Sequence, residues 1–166
     1  MSRFEFQYFS DFKDKRMARV ETLELNIPVN ILILNAETDI QEGSLCTVDI
    51  YGCGEDICIF KSKEEYEKTK SRMDTVSMIP IGTFSAKRGN KDFQESPHIY
   101  FTGIVLGTET YTTTGKNEPN YSIHIQTLEF DFNLFLRYDG VIEKDYIVSG
   151  VALLIGYMRD DVSANV

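Results

Sequence analysis

The sequence predicts a mainly β protein, an antiparallel closed or partly open barrel with one surface helix near residues 63–73. Three observations predict it. β-branched and aromatic residues run through the chain, with 11 Phe and 9 Tyr among 166 residues, and these side chains suit a pleated, half-buried surface. Apolar residues recur mainly at a period of two, the spacing of one strand face. Helix-start chemistry occurs clearly only once, while Gly, Pro, Asn and Asp clusters punctuate the rest. A closed arrangement follows because it leaves few unpaired strand edges.

Residues 1–19 form an aromatic and basic arm. Phe4, Phe6 and Tyr8 alternate with polar residues, and Phe9 and Phe12 precede a basic run. An added edge strand, a docking arm and a frayed terminus all fit that pattern. Five aromatics in so short a stretch are expected to pack on the domain or on another chain, which would give a homo-oligomer. Residues 20–158 are expected to be a single β-barrel-type domain, and 159–166 a frayed tail.

Within that domain Leu23, Leu25 and Ile27 share a stripe that Pro28 ends. Ile31 to Leu34 read as a short strand covered on both faces. Leu45 to Tyr51 and Ile57 to Phe60 read as a hairpin around the turn cluster Gly52-Cys-Gly-Glu-Asp56. Ser62, three residues before Glu65, makes a capping box. The helix it starts has a thin apolar stripe, Tyr66 and Met73, and is expected on the surface. Ser77 to Phe84 reads as a strand and 87–96 as a polar loop. His98 to Thr113 and Tyr121 to Tyr138 are long β-prone runs joined by a loop at 114–120. The second is far longer than the usual ~5–6 residues and must bend or break, with its apolar phase changing near Leu128. A last strand spans Tyr146 to Met158. No internal repeat is evident.

Over residues 76–158 this strand rhythm resembles an OB-fold. The resemblance lies in the long strand carrying Gly103 in Tyr100-Phe-Thr-Gly-Ile-Val105, its long partner from Tyr121 to Arg137, and a closing strand with Ser149-Gly150. It implies a five-stranded barrel whose ligand face uses alternate residues of the long strands, with Tyr100, Tyr111, Tyr121 and Lys116 as binding candidates.

The net charge is −9, and residues 21–60 hold eight acids and no Lys or Arg. Binding a phosphate backbone needs clustered cations, so nucleic acid is disfavoured over most of the surface. A basic protein surface suits it better. One compact basic loop, Lys87, Arg88 and Lys91, would hold a phosphate or flank a stacked base, against the plainer reading of a solvated loop. No apolar run is long enough for a membrane span. The opening residues place an acid where a signal peptide needs an apolar core. With no export signal, Cys46, Cys53 and Cys58 read as reduced thiols in the cytoplasm. Their spacing fits no zinc pattern.

No catalytic motif is complete. Ser122 and His124 share a strand face, and Glu109 is expected opposite His124, but a catalytic serine needs an exposing turn and an oxyanion hole. Gly115-Lys116 lacks the residues of a P-loop, and Gly52-x-Gly54 lacks the dinucleotide fingerprint. The expected function is therefore non-catalytic binding, with a protein as partner and no cofactor or metal: an adaptor, inhibitor or immunity-type protein. The alternatives are an OB-like module for oligonucleotide or oligosaccharide, and a hydrolase.

Overall fold

The computed structural model describes residues 1–35, 39–69, 73–83, 94–111 and 120–160. Among them are nine strands and one short helix: β1 (Ser2–Phe12), β2 (Lys15–Thr22), β3 (Pro28–Ile33), β4 (Leu45–Phe60), α1 (Lys63–Glu67), β5 (Ser77–Ile79), β6 (His98–Tyr111), β7 (Asn120–Gln126), β8 (Asp131–Arg137) and β9 (Ile147–Asp160). The protein is mainly β, as its composition predicts. The chain divides into two compact units.

Unit 1 comprises Met1–Ile50, Pro80–Ile99 and Leu153–Val166. The first 12 residues are not a loose arm within it. β1 and β2 form a hairpin closed at Lys13 and Asp14, both at positive φ (48° and 62°), the backbone that a tight primed turn needs. Phe4 and Phe6 are buried, as are Ala18 and Val20 on the inward face of β2. Each buried aromatic of this kind is stabilising by about 1.5–3 kcal/mol. The pairings run β1 with β2, β2 with β3, and β3 in parallel with β9 through Leu32–Ile155 and Ile33–Gly156. β9 neighbours β4, where a Cβ on Gly156 would stand 2.8 Å from the Asp49 carbonyl oxygen. β4 pairs with β1 and returns the circuit to its start.

Unit 2 comprises Tyr51–Ile79 and Tyr100–Ala152. β6 pairs with β7, β7 with β8, and β8 in parallel with β4 through Tyr51–Asn133, Gly52–Leu134 and Cys53–Phe135. β4 neighbours β9, β9 pairs with β6, and β5 adds to the side of β6. Ile99 aside, the core strands here bury Phe101, Val105, Ile123, Ile125, Phe132 and Leu134, with Phe101 and Phe132 edge to face at 5.2 Å.

The two units repeat one plan, a recurrence that the sequence pattern hid. Phe6 N–H donates to Ser44 O (2.8 Å), Gly43 N–H to Phe6 O (2.8 Å) and Ser44 N–H to Gln41 O (3.1 Å). In unit 2, Val105 N–H donates to Tyr146 O (2.9 Å), Asp145 N–H to Val105 O (2.8 Å) and Tyr146 N–H to Glu143 O (3.2 Å). Gly43 and Asp145 both take positive φ (82° and 72°). The first strand of each meander slips register just beyond that bond, between Phe6 and Tyr8 and between Val105 and Gly107. Each meander turns its second corner on a threonine: Thr22 N–H bonds Ile27 O, and Thr127 N–H bonds Phe130 O.

Four local expectations are corrected. Residues 45–60 are one continuous strand and not a hairpin. Gly52 does not turn the chain there; it admits the Phe132 ring, which would stand 2.8 Å from an added Cβ. The run from Tyr121 to Tyr138 breaks into β7 and β8 at a turn with Glu129 at φ 79°, so its phase change is a corner and not a bulge. The helix is Lys63–Glu67, shorter than expected. Its capping box forms, with Glu65 N–H on Ser62 Oγ (3.1 Å) and Lys61 N–H on Glu65 Oε2 (2.8 Å). Tyr66 is buried, and its hydroxyl donates to Met73 O at 3.0 Å. At the C-terminus β9 continues through Arg159 and Asp160, which the sequence reading assigned to the tail.

Candidate functional site

Unit 2 exposes the outer face of its meander. β7 turns Ile123 and Ile125 inward and leaves His124 outward, by simple strand alternation. The slip in β6 sets Gly107 opposite His124. Nothing lies within 4 Å of where a Gly107 Cβ would stand. On the next strand Asn133 is the register partner of His124. Gly107, Thr108, Glu109, Ser122, His124 and Asn133 line a cavity of ≈ 340 Å³.

His124 Nδ1 lies 3.1 Å from Asn133 Oδ1, an acceptor, so Nδ1 carries the proton. Its Nε2 faces Asp131 Oδ2 at 3.7 Å. Along one side runs an aromatic row. Tyr51 and Phe135 stack at 5.9 Å with their planes 19° apart, and Tyr111 meets Phe135 edge-on at 6.3 Å. Such a face can seat a chain by stacking, by the Asn133 amide and by its carboxylates. It is not arranged for acyl transfer. Glu109 pairs with Ser122 in the ladder and not with His124, and among the described residues neither imidazole nitrogen bonds to Ser122 or Glu109. No three His, Cys, Asp or Glu side chains among the described residues converge on a metal position.

Unit 1 carries a second polar network. Arg19 Nε donates to Asn30 Oδ1 (2.7 Å), and Arg19 pairs with Glu95. Tyr8 donates its hydroxyl proton to Glu95 at 2.7 Å. Burial, then the hydrogen bond to the Glu95 carboxylate, raise the Tyr8 pKa above the usual phenol value, against the lowering effect of Arg19. Asn30, itself buried, donates from Nδ2 to Ser96 O (3.2 Å) and Gly82 O (3.4 Å). The His98 ring stands edge-on to Phe12 at 6.2 Å, above an apolar cluster of Phe12, Met17 and Leu32 with Leu153 and Ile155 against it. Residues 94–98 are thus seated on the sheet as an extended strap.

The sequence-derived candidates are spread across both units. Tyr111 lies in the aromatic row. Tyr121 is buried and donates to Gly140 O at 2.6 Å, a structural tie. Tyr100 Oη lies 3.5 Å from Ser149 Oγ. Phe4 and Phe6 are core, and Tyr8 belongs to the strap network. Lys116, Lys87, Arg88 and Lys91 lie outside the described residues. Of the three thiols, Cys46 is buried while Cys53 and Cys58 are exposed.

Sequence reasoning missed Gly107, Asn133, Phe135 and Tyr51. One signal was present: an asparagine in the middle of an apolar strand, in Val29-Asn-Ile-Leu-Ile33 and again in Phe132-Asn-Leu-Phe-Leu136.

The fold and this face define a mainly β protein with an open, partly aromatic sheet surface. No family model, curated protein or solved structure matches the chain. No helix among the described residues is long and apolar enough to cross a membrane.

Proposed function

We propose that this is a non-catalytic binding protein of the cytoplasm whose partner is another protein, in the manner of an adaptor, inhibitor or immunity-type protein. The observation that carries the reading is the outer face of unit 2, where the row of Tyr51, Phe135 and Tyr111 adjoins a cleft with polar groups at half-exposed positions. Aromatic anchors beside satisfiable polar groups are what protein interfaces concentrate. Glu109 and Asp131 flank the cleft and disfavour phosphate.

We further read each circuit of pairings as a small barrel of the OB kind, since each joins a three-stranded meander to a parallel closing pair. That reading supports a second function, an oligonucleotide or oligosaccharide module, because bases and sugars stack on such rings.

The test is capture with the tagged full-length chain in its native host, followed by remixing with the purified candidate. A stoichiometric complex surviving gel filtration is the expected result. Failure of every recovered protein to form one, with saturable single-strand binding at about 50 mM salt, would turn the reading to the second function.

A further inference from the structure

We infer that the outer face of unit 2 is the docking site for an extended segment of a protein partner that carries a lysine or arginine, seated as residues 94–98 of this chain are seated on unit 1. The inference rests on the binding-protein reading and adds the site and the partner's chemistry.

The two faces are counterparts by register. Arg19 pairs with Asn30 across β2 and β3, and His124 pairs with Asn133 across β7 and β8. Tyr8 stands opposite Arg19, and Gly107 opposite His124. The side-chain bond recurs as well: Arg19 to Asn30 at 2.7 Å, His124 to Asn133 at 3.1 Å. In unit 1 this face is occupied. The Asn30 amide reads two main-chain carbonyls of the 80–99 segment, and Tyr8 with Arg19 reads the Glu95 carboxylate.

In unit 2 the same positions are built, and among the described residues nothing is seated on them. The Asn133 Nδ2 donates to no described residue. Gly107 leaves clear the space where its counterpart carries a tyrosine. Phe12, buried beneath the strap, corresponds to Tyr111, which is 42% exposed.

The charges are exchanged along with the occupancy. Where unit 1 offers Arg19, Ser10 and Pro28, unit 2 offers His124, Glu109 and Asp131 at the matching rungs. The first set takes an acid. The second presents two carboxylates and suits a base. A backbone of phosphates meets the wrong sign.

The probe is a peptide copying residues 93–99 of this chain with Glu95→Lys, titrated into the isotope-labelled full-length protein and followed by NMR. Its twin keeps Glu95. The lysine peptide is expected to shift the His124 and Asn133 side-chain signals saturably and to bind at least about five-fold tighter than its twin at low salt, a difference of about 1 kcal/mol. Salt should shrink that preference. The double variant Glu109→Ser with His124→Arg should reverse it.

Absence of binding at millimolar peptide, equal binding of the two peptides, or shifts confined to other surfaces would each overturn the inference. So would a single-stranded oligonucleotide that saturates the same signals. A captured partner whose complex is indifferent to His124→Ala and Asn133→Ala removes the site and leaves the binding-protein reading standing. If no protein partner exists, that reading falls by itself.

Discussion

Replacing Asn30 by alanine separates the two faces energetically. Asn30 is 2% exposed, and its side chain joins Arg19 Nε, Ser96 O and Gly82 O. Truncation leaves the guanidinium nitrogen and the Ser96 carbonyl unpaired in a poorly hydrated place. At about 1–2 kcal/mol for each of these two groups, the lower part of the cost of a buried group left without a partner because the Arg19 side chain is 14% exposed, and with the 3.4 Å bond to Gly82 counting for little, the loss is about 2–4 kcal/mol. For a chain of this size one kcal/mol corresponds to roughly 2–4 °C in Tm, so the melt should fall by about 5–15 °C. The register counterpart behaves differently. Asn133 is half-buried and bonds only the exposed His124 ring among the described residues, so Asn133→Ala should cost under about 1 kcal/mol. Thermal melts by circular dichroism measure both. Amide exchange at Ser96, whose N–H bonds Gly82 O at 3.1 Å, should accelerate in the first variant alone. Equal losses in the two variants, or an Asn30→Ala melt within a degree of the parent, would refute the claim that this asparagine holds the strap.

Other expectations follow from the same geometry. The raised Tyr8 pKa means the folded state keeps its phenolic proton longer than the unfolded chain. That contribution is fully present below the unfolded value of 10.0 and is lost as pH rises through the folded pKa. Melts between pH 9 and about 11 should therefore fall more steeply for the parent than for Tyr8→Phe, and parallel curves would contradict it. Gly103→Ala places a Cβ 2.4 Å from Ile125 Cγ2 and 2.7 Å from Gln126 O, an overpacking worth about 1–3 kcal/mol. Gly107→Ala meets nothing within 4 Å and should leave the denaturant midpoint nearly unchanged. Deleting residues 2–12 removes β1 with its buried Phe4 and Phe6 and bares the pairing edges of β2 and β4 in unit 1. Aggregation or loss of the cooperative melt is expected, and an intact soluble product would show that β1 is dispensable.

The strand content was legible because alternation leaves its mark whatever the partner strand. Cys46, Val48 and Ile50 read as one face and are buried together, and the rhythm of β6 and β9 gave their extents closely. What escaped were places where a local signal has two physical causes. Gly52 and Gly54 look like a turn, yet here a missing Cβ serves close approach by Phe132 and Ile57. The corner at Thr127–Phe130 carries neither Gly nor Pro; the Thr127 hydroxyl, donating to Phe130 O at 2.8 Å, does the work of a turn residue. Tyr66 looked like part of a thin surface stripe, but a buried hydroxyl is affordable once Met73 O accepts from it.

The candidate face was legible only in fragments, and the physical reason lies in the plan that the two units share. Equivalent positions in the two units share backbone geometry but not side chains: Tyr8 answers to Gly107, Arg19 to His124, Phe12 to Tyr111. What selection of the fold holds fixed is the φ at Gly43 and Asp145, the carbonyl that each turn reaches, and the inward alternation of the meander. Several residue types satisfy each of these, so the shared plan is carried by hydrogen bonds and not by the letters. The outward positions answer to a different constraint, namely what lies upon them. In unit 1 that is the chain's own Glu95 and Ser96, and the face beneath sets Tyr8, Arg19 and Asn30 beside the apolar cluster of Phe12, Met17 and Leu32. In unit 2 the same frame carries Glu109, Asp131, the His124 imidazole and the Tyr111 ring, which is 42% exposed. The proposed docking face rests on that difference in the outward rungs: where unit 1 meets Glu95 and Ser96 of its own chain, the proposal has unit 2 meet a basic segment of a partner.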